Sequence, residues 1–364
     1  MSKKIGLLTS GGDCAGLNAL IRSVYLAAKQ KDWTVIGIED GIPGLITRPI
    51  KSINIDEIFG SKYGYSLLGV AGTCLGTLNK PTPPATSFYD NADLFIEGYR
   101  KLGLDALVAS GGDGSLSVLR KICQKGNIPF VGVPKTIDND IDLTDSLGFA
   151  TAVEVATEAL DRLQPTAASH SRTMILEVMG RDAGNIALHT GIAGDADVIL
   201  LPEVPYELDE IAKKVREIRQ SGRTFALIVV AEAAHQKGEN PEISKKCSGR
   251  KGYGGIGSHL CDQLGKIIDG DIRATTLGHV QRGGRPGYRD RLLAAAFGAK
   301  AIECIENEKF DCMVAWHNST VTVVPLEQAI KTYRYVDLGS ELVKTAIRLG
   351  ISFGVDPQTI GRDK

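Results

Sequence analysis

The chain has 364 residues, enough for two domains of ordinary size, each with its own core. Its 43% hydrophobic and 23% charged residues are typical of a globular protein, and its net charge is −1. A nucleic-acid-binding protein needs a concentrated positive patch, which is absent from this sequence, so that class of function is disfavoured.

The amino-terminal residues and the cysteines also exclude several classes. The start "MSKKIGLLTSGGD" has too short an apolar run for a secretory signal, and no apolar run is long enough to span a membrane. The seven cysteines are an odd number without a CxxC pair, so neither a disulfide framework nor a structural zinc site is expected. We expect free thiols, a cytoplasmic location and no membrane partner.

Apolar runs rich in β-branched residues alternate along the chain with amphipathic stretches of helical length. The predicted strands, in chain order, cover residues 3–10, 34–40, 105–112, 129–134, 172–180, 197–203, 225–232 and 272–280. The predicted helices cover residues 17–31, 91–103, 115–126, 150–164 and 208–222. This alternation predicts right-handed βαβ units, mainly parallel sheets and an α/β fold, with a domain boundary near residues 147–151.

Polar loops follow most of the predicted strands. They read "SGGDCAG" (10–16), "SGGDGS" (110–115), "PKTIDND" (134–140), "MGRDAG" (179–184), "AEAAHQ" (231–236) and "GHVQRGG" (278–284). Ligands of parallel sheets bind beyond the carboxyl ends of the strands, so these loops are the candidate site. The stretch 236–257 is polar and glycine-rich and is predicted to be a long loop.

The two SGGD loops suit the binding of phosphate groups. Glycines such as Gly12 let backbone N–H groups approach a ligand at the positive end of the next helix. The alternative is a plain strand-to-helix turn in which Asp13 caps the helix. In the second loop, Asp113 would be repelled by bound phosphates unless a divalent cation such as Mg²⁺ lay between them, although it too could be a cap.

In "PKTIDND", Thr136, Asp138 and Asp140 occupy alternate positions and would share one face of an extended segment. A cation shared with Asp113 would relieve the repulsion between the acids and leave Asp138 to take a proton from an attacking hydroxyl, with Thr136 steadying the phosphoryl group. The alternative is a turn in which the acids bind backbone amides.

Basic side chains that are expected to follow strands or sit in glycine loops suit phosphate monoesters, which guanidinium groups grip with two hydrogen bonds. They are Arg172, Arg181, Arg273, His279 and Arg282. A single one could alternatively form a surface salt bridge, but His279 and Arg282 in "GHVQRGG" together make a compact oxyanion site. Glu232 could accept hydrogen bonds from sugar hydroxyls or pair with a lysine.

Together these motifs resemble the 6-phosphofructokinase family, the ATP- or pyrophosphate-dependent kinases of fructose 6-phosphate. The matching segments are "LTSGGDCAGLNA", "SGGDGSL", "PKTIDND", "ASHSRTMILEVMGRDAG", "AEAAH" and "RATTLGHVQRGG". The resemblance implies two similar doubly wound domains with the active site in the cleft between them. The larger, 1–149 plus about 282–320, would bind ATP and Mg²⁺, and the smaller, about 150–281 plus the C-terminal segment, would bind the sugar phosphate.

The resemblance also implies residue roles. Asp138 is the base for the 1-hydroxyl, and Thr136 and Arg181 complete the catalytic group. The donor is bound by Gly12, Gly112, Asp113, Gly114 and Ser115, and Mg²⁺ by Asp113 and Asp140. Fructose 6-phosphate is bound by Thr136, Asp138, Met179, Gly180, Arg181, Glu232, His279 and Arg282. Arg172 and Arg273 correspond to arginines that reach a neighbouring subunit's site, which implies a homotetramer.

Some positions depart from the bacterial ATP-dependent pattern. Asn79 and Lys80 replace an Arg-Phe pair, so Lys80 would supply charge to the nucleotide as a point donor. The bacterial enzymes of the family bind their effectors in a pocket of arginines and lysines. Arg22 matches one of these basic residues, but Leu26, Gln164, Ser221 and Thr224 replace others. Control by ADP and phosphoenolpyruvate is therefore not expected to carry over.

Two positions bear on the phosphoryl donor. Pyrophosphate users of the family usually carry Asp and Lys where this chain has Gly114 and Lys135, and ATP users carry glycine at both. An aspartate at 114 would add bulk and charge where the α-phosphate of ATP lies, whereas Lys135 blocks nothing. ATP is therefore the expected donor; the alternatives are a pyrophosphate-dependent kinase and a non-catalytic sensor of sugar phosphates or nucleotides.

Overall fold

The computed structural model describes residues 2–60, 64–78, 87–239 and 254–361. The chain divides into two compact units, and each has its own sheet and apolar core. Unit 1 comprises Met1–Thr151 and Arg282–Tyr333, and unit 2 comprises Ala152–Gln281 and Arg334–Lys364. Among the described residues, no helix combines the length and apolar character needed to cross a membrane.

The strands alternate with helices over most of the chain. In chain order they are β1 (Lys4–Thr9), β2 (Thr34–Ile38), β3 (Ser52–Asn54), β4 (Ala106–Gly111), β5 (Phe130–Thr136), β6 (Leu147–Gly148), β7 (Thr173–Val178), β8 (Val198–Leu200), β9 (Ala226–Ala231), β10 (Ile272–Thr276), β11 (Cys312–His317) and β12 (Thr320–Pro325). All eight predicted strands are present. The sequence did not predict β3, β6, β11 or β12.

The α-helices include every predicted one. They are α1 (Leu17–Lys29), α2 (Ile42–Ile46), α3 (Ile55–Phe59), α4 (Ala92–Lys101), α5 (Asp113–Gly126), α6 (Phe149–His170), α7 (Asn185–Ala193), α8 (Leu208–Gln220), α9 (Ile256–Leu264), α10 (Tyr288–Glu306), α11 (Leu326–Ala329) and α12 (Glu341–Arg348). Short 3-10 helices cover Gly64–Gly69, Phe88–Asn91, Gly278–Arg282 and Pro357–Thr359.

The sheet of unit 1 has the order β12-β11-β5-β4-β1-β2-β3, with β6 paired to β5. Its pairs are parallel except β2 with β3 and β11 with β12. β4 and β5 are buried along their whole length, as expected of strands covered on both faces. The α/β fold with mainly parallel sheets is therefore confirmed.

The sheet of unit 2 has the order β10-β7-β9-β8 and is parallel throughout. The outer edge of β8 is covered by a C-terminal part of the chain around Ser352. Ile199 N donates to Ser352 O at 2.9 Å, and Ser352 N donates to Asp197 O at 2.9 Å. This satisfies backbone groups that an edge strand would otherwise expose.

A buried carboxylate from α10 organises the start of α6 in unit 1. Asp290 is 0% exposed and accepts hydrogen bonds from Gly148 N at 2.8 Å, Thr151 N at 2.8 Å and Thr151 Oγ1 at 2.6 Å. Burial raises the pKa of Asp290, and the hydrogen bonds oppose this rise. Its role is to satisfy donors that would otherwise be buried without partners.

Asp290→Ala is expected to lower the free energy of unfolding by about 3 kcal/mol, because it leaves three buried donors unsatisfied. Denaturant unfolding measures the change. Glu303→Ala is the matched control, since Glu303 lies on the same helix and only pairs with Lys300 at the surface. A loss no larger than that of the control would contradict the assigned role.

Candidate active site

Three of the predicted loops leave unit 1 at one edge of its sheet. β5, β4 and β1 are neighbouring parallel strands, with Thr9 aligned to Ser110 and Gly111 to Pro134. Ser10 N donates to Ser110 O at 2.8 Å, and the hydroxyl groups of Ser10 and Ser115 are 3.2 Å apart. The two SGGD loops and the "PKTIDND" segment therefore converge, as a site for one polyphosphate requires.

The first glycine loop is held by two cationic side chains. Lys135 Nζ donates to Gly12 O, and Arg282 Nη1 donates to Asp13 O at 2.9 Å. A Cβ at Gly12 would lie 2.7 Å from Arg282 Nη1, so a side chain at this position would displace the guanidinium group. The N-cap of α1 is Gly16, in a left-handed conformation, so the alternative in which Asp13 caps the helix is wrong.

The second glycine loop opens directly onto the N-terminus of α5. Gly112 is the N-cap, Asp113 is the first helical residue and is half-buried, and Gly114 is exposed. No described atom lies within 4 Å of the position that a Cβ would take at Gly114. Backbone N–H groups at the positive end of a helix suit an anion, and the space at residue 114 is open to receive one.

The "PKTIDND" segment forms a tight turn at the end of β5. Thr136 Oγ1 accepts a hydrogen bond from Asp138 N at 3.1 Å and donates one to Asp138 Oδ2 at 3.1 Å. Asn139 has φ +54°, and its Oδ1 accepts a hydrogen bond from Ser146 N at 3.0 Å. The two backbone amides of this turn thus donate to the Thr136 hydroxyl and the Asn139 side-chain oxygen and not to the acids, and the bond from Thr136 fixes the orientation of the Asp138 carboxylate, which is 3% exposed.

Lys135 is buried, at 3% exposure, and burial lowers the pKa of its ammonium group. The hydrogen bond to Gly12 O compensates part of the cost of burying it. The neighbouring thiol of Cys14 is also buried, which raises its pKa to about 12 and keeps it protonated. All six cysteines within the described part of the chain are free thiols, as predicted.

The carboxylates of this edge differ in access to solvent. Asp113 is half-buried, whereas Asp140 is 1% exposed. Among the described residues, no three His, Cys, Asp or Glu side chains are grouped to hold a metal by themselves. Mg²⁺ commonly takes one or two carboxylates and completes its shell with phosphate oxygens and water, so Asp113 and Asp140 are the residues of this edge that could hold it.

In unit 2, the loop of residues 179–184 is held by one side chain that follows β9 and one from the 3-10 helix Gly278–Arg282. Glu232 Oε1 accepts hydrogen bonds from Gly180 N at 3.2 Å and Arg181 N at 2.9 Å. Gln281 Oε1 accepts one from Met179 N at 2.9 Å. Arg181 has φ +51°, a costly conformation for a residue with a Cβ. Nothing in the local sequence marked Gln281 for this role.

Arg172 and Arg273 lie at the amino-terminal ends of strands in the unit 2 sheet, opposite the ends that the 179–184 loop follows. The expectation that they follow strands or sit in glycine loops is therefore wrong. Arg172 directly precedes β7, and Arg273 lies inside β10. Their Nε atoms bind Asp271 at 2.6 Å and 2.9 Å respectively. The hydrogen bond from Arg172 is the main cause that lowers the pKa of Asp271. The length of β7, about 20 Å, separates this arginine pair from the 179–184 loop.

The remaining predicted residues are placed as follows. His279, a residue of unit 2, is exposed on the 3-10 helix Gly278–Arg282. Arg282, expected among the sugar-phosphate residues, belongs to unit 1 and contacts the first glycine loop. Asn79 and Lys80 lie outside the described residues, as do residues 240–253 of the predicted long loop. α9 begins at Ile256, within the stretch expected to be loop.

Comparison with known proteins gives a consistent result. Residues 4–305 match the family described as phosphofructokinase. The chain is 51% identical to ATP-dependent 6-phosphofructokinase 1 of a Nostoc species, with 97% of this chain and 99% of that protein covered. It is 49% identical to ATP-dependent 6-phosphofructokinase 1 of a Synechocystis species, with coverage of 97% and 99%. The solved structure of phosphofructokinase from Saccharomyces cerevisiae is 29% identical, with a TM-score of 0.75; the match covers 98% of this chain and about half, 48%, of the yeast chain.

Proposed function

The chain belongs to the phosphofructokinase family, and we propose that it transfers the γ-phosphate of ATP to the 1-hydroxyl of D-fructose 6-phosphate. The products are fructose 1,6-bisphosphate and ADP, and the enzyme acts in glycolysis. The observation that carries the proposal is the convergence of both SGGD loops with the Asp138 turn at one edge of the unit 1 sheet. The free thiols agree with a cytoplasmic location.

Asp138 is the proposed general base. The hydrogen bond from Thr136 orients its carboxylate, and burial limits competing solvent. The base accepts the proton of the sugar 1-hydroxyl as the oxygen attacks the γ-phosphorus, while Thr136 lies beside the transferred group. Most of the rate enhancement then comes from positioning and charge.

The donor phosphates are proposed to lie over Gly12 and residues 112–115, at the N-terminus of α5. The open space at Gly114 leaves room for the α-phosphate of ATP. Asp113 is the more accessible carboxylate and is the proposed direct ligand of Mg²⁺, with the buried Asp140 also assigned to the metal. When bound, Mg²⁺ neutralises charge on the phosphates.

The acceptor is proposed to bind residues of the 179–184 loop, with Glu232 and His279. Glu232 already accepts bonds from two loop amides, so its support of the loop accompanies any contact with sugar hydroxyls. Arg282, whose guanidinium group donates to Asp13 O, is also assigned to fructose 6-phosphate, as the resemblance implies. Guanidinium groups here suit the 6-phosphate.

Paired assays with ATP and with pyrophosphate test the donor. We expect turnover of fructose 6-phosphate with ATP and Mg²⁺, and little with pyrophosphate. The pyrophosphate-dependent reaction remains the second candidate because of Lys135, although its ammonium group binds Gly12 O. Turnover with pyrophosphate alone would overturn the assignment of the donor. Binding of sugar phosphate or nucleotide without turnover in either assay would favour a sensor.

Arg172 and Arg273 are proposed to serve the site of a neighbouring subunit in a homotetramer, since they lie at the opposite edge from the 179–184 loop. Mixed oligomers of Arg172→Ala and Asp138→Asn subunits are then expected to recover up to about one quarter of wild-type activity, because some sites combine two intact halves. Each variant is assayed alone as the control. Mixed oligomers no more active than the sum of the two would contradict shared sites.

A further inference from the structure

Glu203 holds the end of the 179–184 loop, although no step of the proposed reaction uses it. It follows β8, and its carboxylate accepts a hydrogen bond from Gly184 N at 3.0 Å to Oε1 and 3.1 Å to Oε2. Gly184 is the N-cap of α7 and has no side chain with which to cap that helix. Glu203 therefore places a negative charge at the N-terminus of α7, where the helix dipole favours it.

The same carboxylate binds the C-terminal segment, here defined as residues 334–361. Val336 N donates to Glu203 Oε1 at 2.8 Å. In this segment α12 contacts α7, and Ser352 bridges to β8. The segment lies beyond residue 305, where the match to the family ends. Glu203 thus connects the loop to a part of the chain outside that match.

The geometry around Gly184 is tight. A Cβ at this residue would lie 2.8 Å from Glu203 Oε2 and 2.6 Å from Leu201 Cδ2. Glu203 also borders a cavity of about 580 Å³, lined in addition by Glu207, Asp337 and Ile360. Alanine at position 203 would therefore enlarge an existing space instead of opening a sealed hole in the core, which favours a folded variant.

The loop needs such support because of its backbone. Arg181 has φ +51°, and strained residues of this kind persist only when the surrounding structure fixes them. Glu232 fixes the amides of Gly180 and Arg181, and Glu203 fixes the amide of Gly184. The two carboxylates thus hold both sides of the strained residue.

We propose that Glu203 is a positioning residue for the sugar-phosphate site. It fixes the end of the loop that carries Arg181 and makes the position of that loop depend on the C-terminal segment. The inference rests on the proposed function, because it assigns the loop to fructose 6-phosphate.

Steady-state kinetics of Glu203→Ala test the proposal. We expect KM for fructose 6-phosphate to rise about tenfold, with KM for ATP unchanged and kcat within about twofold, because only placement of the acceptor is disturbed. Glu203→Gln keeps an acceptor oxygen and should restore most of the loss. Glu207→Ala is the matched control, since Glu207 borders the same cavity but pairs with Lys237 and should change neither KM.

Amide hydrogen exchange of the free protein provides a readout that does not depend on turnover. Peptides that cover residues 179–184 and the start of the C-terminal segment should exchange faster in Glu203→Ala than in wild type and Glu207→Ala. An active wild type whose Glu203→Ala variant keeps its KM for fructose 6-phosphate would overturn the role of Glu203 alone. A wild type inactive on fructose 6-phosphate would overturn the proposed function, even with the exchange result intact.

Discussion

Asp138→Asn is expected to lower kcat by about 10³-fold while the dissociation constant of fructose 6-phosphate changes only a few-fold. Asparagine has the shape of aspartate and still offers Oδ1 to the Thr136 hydroxyl, so the turn after β5 should be kept. What is lost is the capacity to take the proton of the 1-hydroxyl. Steady-state assays of turnover give kcat, and calorimetric titration with fructose 6-phosphate gives its dissociation constant.

Asp142→Asn is the matched control for this variant. Asp142 lies four residues further along the chain, and its Oδ1 accepts a hydrogen bond from Leu143 N at 2.8 Å, which asparagine can also accept. Its kcat should equal that of wild type. If Asp138→Asn kept more than about a tenth of the wild-type kcat, the assignment of the general base would be wrong.

Gly114→Asp is expected to lower kcat/KM for ATP by about 10²-fold, through repulsion of the α-phosphate at short range. The fold should tolerate the change, because no described atom lies within 4 Å of the added Cβ and a carboxylate in the first turn of α5 is favourable to the helix. Assays at varied ATP and saturating fructose 6-phosphate measure the effect.

Gly114→Ala separates bulk from charge in this experiment. The methyl group enters open space, and alanine stabilises a helix relative to glycine by about 0.5–1 kcal/mol, so near-normal ATP kinetics and a slightly raised Tm are expected. An unchanged rate with ATP in Gly114→Asp would refute the role of residue 114 in donor choice. An equal loss in both variants would assign that role to bulk alone.

The parts of the fold that sequence reasoning recovered share a local signal. β9 is a continuous apolar run and β5 is apolar as far as Pro134; both strands are buried along their length, and polar residues follow each apolar run directly. Because the strands are parallel, such polar residues fall at one edge of a sheet without any knowledge of the strand order. The convergence of Gly12, Asp113 and Asp138 was predictable for this reason.

The elements that were missed lack such a signal. β12 is a half-exposed edge strand, and β11 joins it through a turn at Asn318 and Ser319, both with positive φ. α10 is apolar on more than one side, which obscures the helical period. These elements are fixed by pairing and packing with segments far away in the sequence.

Long-range contacts also explain the missed site residues. Asp290 binds amides 142 and 139 residues away, and Gln281 binds an amide 102 residues away. A lone carboxylate or amide in the sequence does not reveal which distant backbone group it will accept from. Arg172 and Arg273 were placed at the wrong end of their strands, because each was read only in relation to its immediate neighbours.

The two units are interleaved along the polypeptide, and this sets the order in which they can be completed during synthesis. β5 must wait for β11, so the first unit cannot close its sheet until about 180 further residues have left the ribosome. The second unit waits in turn for Ser352 to reach β8. Neither unit can complete its sheet before β11 has been made, and nascent chains must remain protected from wrong association until then.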